Sequence, residues 1–161
     1  MSLLSGLIDE NVDRHTRDLV TLTATASITT ADHAGRTLLM GEVGGDAAAT
    51  FTLPAATGTG SVFKFVVSVV NTSNYLVKVA DATDTIDGQI MITDADGTAA
   101  TSFVTAAASD TITLNGTTTG GGAIGDYVEL IDIASNQYAV SGMVTCAAGS
   151  NIATMFSATV S

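Results

Sequence analysis

Five of the sixteen acidic residues in this 161-residue chain fall between positions 81 and 96: Asp81, Asp84, Asp87, Asp94 and Asp96. Closely spaced carboxylates can hold a hard cation, and Thr93-Asp-Ala-Asp-Gly97 matches half of a calcium loop. The full loop needs further ligands and a closing bidentate Glu, and none follows. Aspartates in turns usually bond their own backbone, which is the preferred reading of Asp81 to Asp96, with a structural Ca²⁺ left open beside it. Two acids facing each other across a cleft also hydrolyse glycosides, an arrangement that spacing alone does not decide. Sugar sites usually add aromatic platforms. Trp is absent, and Tyr75, Tyr127 and Tyr138 recur at the starts of strand-like segments, as packing residues with a polar tip.

Nucleophilic chemistry has little to draw on. Cys146 is the only cysteine, so no intramolecular disulfide and no thiolate cluster can form; it reads as a small buried hydrophobe. Its possible base would be one of two histidines, His15 or His33, and no motif context links either to it. Asp32 and His33 are adjacent, which in an extended segment sends their side chains to opposite faces, so an exposed turn is expected there and not a catalytic dyad. Gly120-Gly-Gly-Ala-Ile-Gly125 fits the glycine spacing of a dinucleotide fingerprint. That fingerprint works by opening a helix whose amides face a pyrophosphate, whereas here Asp126-Tyr-Val-Glu-Leu-Ile continues as a strand. The expectation is a hairpin loop, with no cofactor and no enzymatic activity.

Charge narrows the partners. The formal net charge is −11, with Arg14, Arg17, Arg36, Lys64 and Lys78 as the only basic residues besides histidine. Phosphate binding needs clustered Lys and Arg, so nucleic acid and anionic lipid are not expected partners. The first ten residues lack a basic segment and a long apolar stretch, and no apolar run approaches the ~20 residues of a spanning helix, so a soluble protein without a signal peptide is expected.

The elements that position these residues are almost all strands. Residues 1–19 differ from the rest: Leu3, Leu4, Leu7 and Ile8 are spaced for one helical face, followed by a charged, glycine-free stretch. They form an expected N-terminal arm, extended or shortly helical, whose four apolar residues are candidates for contact with a partner or a sister copy. From Val20 to Thr29 apolar residues alternate with threonine or serine, the pattern of a half-buried strand. Val62 to Val70 is apolar at almost every position and reads as a central strand covered on both faces. About ten short strands between Gly, Asn, Asp and Ser turns predict one all-β domain over 20–161, an antiparallel β-sandwich or jelly roll. With 46% hydrophobic but only 5% aromatic residues, its core is expected to be built mainly from small and β-branched side chains. A unit recurs at 51–79 and 112–140: a strand with Leu third, a Thr/Gly loop, a second strand, a polar turn and a strand opened by Tyr75 or Tyr138. At about sixty residues and two copies it is internal pseudo-symmetry and not a solenoid array.

Four stretches carry a resemblance: Gly35-Arg-Thr-Leu-Leu39; Phe51-Thr-Leu-Pro-Ala-Ala-Thr-Gly-Thr-Gly60 with Phe63-Lys-Phe65; Asp110-Thr-Ile-Thr-Leu-Asn-Gly-Thr-Thr-Thr-Gly120 through Gly125-Asp-Tyr-Val-Glu129; and Phe156-Ser-Ala-Thr-Val-Ser161. In them the chain resembles the head decoration, or cement, proteins of tailed bacteriophages. The resemblance implies a virion structural protein, a homotrimer that sits on the outer capsid surface and bridges neighbouring major capsid proteins. It assigns no functional residue by position, because that role lies in surfaces. Tail-associated proteins and adhesive carbohydrate-binding β-modules share such compositions and form the alternative, with a β-sandwich hydrolase behind them.

Overall fold

The computed structural model describes residues 19–41 and 48–160. Within them lie β1 (Leu19–Leu22), β2 (Ala26–Ser27), a single helical turn α1 (Thr30–His33), β3 (Thr37–Met40), β4 (Ala49–Thr52), β5 (Val62–Val67) and β6 (Tyr75–Lys78). They are followed by β7 (Thr85–Asp94), β8 (Ala100–Val104), β9 (Thr111–Leu114), β10 (Tyr127–Ala134), β11 (Gln137–Cys146) and β12 (Phe156–Ser157). The larger sheet has the order β1-β3-β5-β10-β11-β7-β8 and the smaller one β12-β9-β6-β4-β2. Their inner faces share one apolar core, and the protein is an all-β sandwich.

Pairing within the sheets is mixed, where antiparallel pairing was expected. β1, β3 and β5 run parallel to one another in the larger sheet, and β2, β4 and β6 do the same in the smaller one. The cause is the path of the chain. From β1 to β6 each strand lies in the opposite sheet from the one before it, so every second strand returns to the same sheet in the same direction. The result is a short two-sided winding. Its coils measure 18 and 27 residues in the larger sheet, counted from Leu19 to its partner Thr37 and from Thr37 to its partner Lys64. Beyond β6 the chain turns back: β9 pairs antiparallel with β6, β10 with β5, and β10 with β11.

Three sequence expectations change in detail. The alternating stretch from Val20 to Thr29 is two strands, because the chain leaves the larger sheet after Leu22 and joins the smaller one at Ala26. β5 is central, but only Phe63, Phe65 and Val67 are buried; Val62, Lys64 and Val66 are half-exposed on the outside. The core is also more aromatic than the composition suggests. Phe51 stacks on Phe65 with ring centroids 5.8 Å apart and lies 5.9 Å from Tyr75, while Phe63 meets Tyr138 edge-on at 6.3 Å. Few aromatics are present, but they gather at the centre, where each covers the area of several small residues.

The two copies of the repeated unit share their first half. β4 and β9 both lie in the smaller sheet, β5 and β10 are neighbours in the larger one, and Phe51, Leu53, Ile112 and Leu114 are all buried. The closing strands diverge: β6 crosses to the smaller sheet, whereas β11 folds back beside β10.

Candidate functional site

The acidic groups show what the polar chemistry of this molecule is used for. Asp84, Asp94, Asp110, Asp126 and Asp132 are buried, and each accepts hydrogen bonds from backbone amides of a loop, turn or terminal segment. Asp132 is the most connected. On β10, Val128 and Leu130 point inward, and Asp132 follows in the same alternation. There its carboxylate accepts the amides of Thr57, Gly58 and Thr59 at 3.0, 2.6 and 3.0 Å, and the Thr59 hydroxyl at 2.7 Å. Burial alone would raise its pKa, but the donors from Thr59, Gly58 and Thr57 outweigh that and hold it below the usual aspartate value. The exposed Thr/Gly loop is thus fixed from beneath. The Tyr138 hydroxyl adds a bond of 2.8 Å to the Pro54 carbonyl, and burial beside Asp132 and Asp84 pushes that phenol upward, so it stays protonated as a donor.

Asp126 does the same at the start of β10, accepting the Thr145 amide at 2.8 Å, the Thr145 hydroxyl at 3.0 Å and the Ala123 amide at 3.2 Å. Desolvation dominates here and raises its pKa in spite of those bonds. Asp84, which accepts the Ala56 amide at 3.2 Å, is raised by burial too. Asp110 holds the C-terminal segment through the amides of Thr159 and Val160 at 2.8 and 3.1 Å. In the second Thr/Gly loop Asn115 takes the place of an acid: its side-chain oxygen accepts the amides of Thr117 and Thr119 at 2.9 and 3.0 Å.

The residues singled out in the sequence take these places. Asp94 and Asp96 form the β7–β8 hairpin turn: Asp94 accepts the Gly149 amide at 3.2 Å, and Asp96 accepts the Thr98 amide at 3.0 Å. Asp81 accepts the amide and hydroxyl of Thr83, which lower its pKa. Asp87 accepts from the Gln137 amide group at 2.9 Å. The five are spread over separate turns and strands, and among the described residues no group of three or more His, Cys, Asp or Glu side chains could hold a metal ion. Asp32 and His33 both fold back onto Thr29, whose hydroxyl caps α1 by accepting the Asp32 amide at 3.2 Å. The Thr29 amide donates to His33 Nδ1 at 3.0 Å. Cys146 is buried, and burial with nearby Asp94 raises its pKa, the opposite of an activated thiolate.

Gly120, Gly121 and Gly122 are packed against the core. A Cβ on Gly121 would lie 2.6 Å from Leu114 Cβ, and one on Gly122 would lie 2.5 Å from the Gly116 carbonyl oxygen. Close packing, not a phosphate, requires the glycines. Tyr75 and Tyr138 are core residues, while Tyr127 lies on the outer face of the larger sheet with Lys64 Nζ 4.7 Å from its ring centroid. Leu3, Leu4, Leu7 and Ile8 lie outside the described residues.

What remains on the outside is broad surface. Across the larger sheet the registers align Leu39, Val66, Tyr127, Met143 and Met91 in one outward apolar row. Beside it Tyr127, Met143, Met91, Thr93 and Thr145 line a shallow hollow of about 260 Å³. Sequence reasoning missed Asp132, Asp126 and this row. An acid at an inward position of an alternating strand was a visible signal for Asp132; the row needed the register between strands distant in sequence. No family model, curated protein or solved structure matches the chain.

Proposed function

We propose that this protein is a virion structural protein of the head-decoration kind, which binds the outside of an assembled phage capsid and bridges its major capsid proteins. The observation that carries the reading is the use of the acidic groups: five buried carboxylates fasten loops and ends, so the molecule is a fixed framework presenting broad sheet faces. The sequence resemblance to cement proteins points the same way. A clamp of this kind acts by binding the assembled lattice and not the free subunit, so that dissociation must break its contacts too. Many symmetric copies make modest contacts add up.

The test uses heads assembled from the major capsid protein encoded in the same genome. Purified protein should sediment with expanded heads, leave free capsid subunits unbound, and raise the temperature at which the heads disassemble. Binding to glycans but not to heads would favour the adhesive alternative. Deleting residues 2–18, with Leu3, Leu4, Leu7 and Ile8, should lower occupancy on the head; full occupancy would remove the arm from the contact.

A further inference from the structure

We infer that Asn115–Gly116 is a guarded modification site: when the second Thr/Gly loop opens, Asn115 cyclises onto the following amide, and the isoaspartate that results cannot rebuild the loop. Of Asn11, Asn71, Asn74, Asn115, Asn136 and Asn151, only Asn115 precedes a glycine. Glycine has no Cβ to hinder ring closure, and its backbone readily reaches the angles the ring needs. The Gly116 nitrogen attacks Asn115 Cγ, the bond from Cγ to Nδ2 breaks, and the displaced amide group takes the Gly116 proton and leaves as ammonia. A cyclic imide remains. Water then opens it at either carbonyl, giving aspartate or isoaspartate, and in isoaspartate the main chain runs through the side-chain carbon.

In the closed loop both reacting groups are held by other partners. The Gly116 amide donates to the Gly120 carbonyl at 3.0 Å, the Asn115 side-chain oxygen accepts the Thr117 and Thr119 amides at 2.9 and 3.0 Å, and Nδ2 donates to the Thr118 hydroxyl at 2.9 Å. The loop is tied in turn to the segment after β11, whose Ala147 and Ala153 amides donate to the Thr117 and Thr118 carbonyls, each at 3.0 Å. Cyclisation therefore proceeds from the open fraction of molecules. Packing bars the return. Gly116 sits at φ +71, where a Cβ would collide with the Asn71 carbonyl oxygen, and the Asn71 side chain donates to the Leu114 carbonyl at 3.0 Å. Isoaspartate lengthens the main chain between those two fixed points, so the loop no longer closes over it.

This site concerns the free protein and does not depend on the virion reading. Peptide mapping by mass spectrometry of the full chain, kept in mildly alkaline buffer with and without urea, should find conversion at Asn115 at least about tenfold slower in the folded chain. Thr118→Val removes the acceptor of Nδ2 and should raise the folded-state rate about threefold, as loss of one modest hydrogen bond would, while leaving the rate in urea unchanged. Thr59→Val, in the first Thr/Gly loop, should leave both rates unchanged. In the purified isoaspartate form the Thr117 and Thr119 amides should exchange hydrogen faster than in the parent, with the β10–β11 amides still protected. Equal conversion with and without urea, or equal acceleration by Thr59→Val, would overturn the local guard. No conversion in urea would remove the site, and parental exchange at Thr117 and Thr119 in the isoaspartate form would overturn the lasting opening of the loop.

Discussion

Asp132 shows how one side chain can set the shape of a loop: its carboxylate gathers the Thr57, Gly58 and Thr59 amides of the segment between β4 and β5. Asp132→Asn removes the charge and turns an amide group toward donors, so it should cost about 2–3 kcal/mol in urea unfolding at pH 7. The pH dependence has a fixed sign. Because the folded pKa of Asp132 lies below its unfolded value, its contribution is complete above the ordinary aspartate range and is lost as pH falls through the folded value. Asp126 is raised, so its burial penalty is relieved as pH falls through its folded value. Asp132→Asn should therefore flatten the acid loss of stability, and Asp126→Asn should steepen the net loss; urea midpoints between pH 7 and 3 would check both. Gly121→Ala, at φ +74 with Leu114 against the new methyl, should cost roughly 3 kcal/mol in the same assay. At this scale the sequence was informative about type and less so about partner. The glycine run and the turn aspartates were legible as backbone devices, but which amides each acid holds depends on residues about seventy-five positions away, as between Thr57 and Asp132.

Strand existence followed from alternation, because a half-buried strand must place apolar groups on every second residue. Pairing direction did not, since alternation is the same for parallel and antiparallel neighbours. Thus β9, β10 and β11 were readable as strands from about Asp110, Tyr127 and Gln137 onward, while the winding of β1 to β6 between sheets was not. The splitting of the Val20 to Thr29 stretch has the same origin: the pattern continues through the three residues between β1 and β2 although the chain changes sheets. Element ends rely on the buried acids. Asp110 holds the segment after β12 through Thr159 and Val160, so Asp110→Asn should speed hydrogen exchange of those two amides at least about tenfold while leaving the β10–β11 amides protected. Equal protection in the variant would mean that the β9–β12 backbone bonds and the Thr111–Thr159 hydroxyl contact hold the terminal segment without Asp110.

At the scale of the molecule, the net charge of −11 overstates how acidic the described body is on its surface, because five of its ten carboxylates are buried. Composition reported the charge; only the fold distributes it. A framework that commits its acids to its own loops leaves its sheet faces as the described surface for recognition, in keeping with the proposed lattice binding. The most direct measurement is cryo-electron microscopy of heads assembled without this protein and then incubated with it. Lattice binding predicts added density at repeated positions on the outer lattice, contacting adjacent major capsid proteins, with none on unassembled subunits. Bare heads at saturating protein would contradict it.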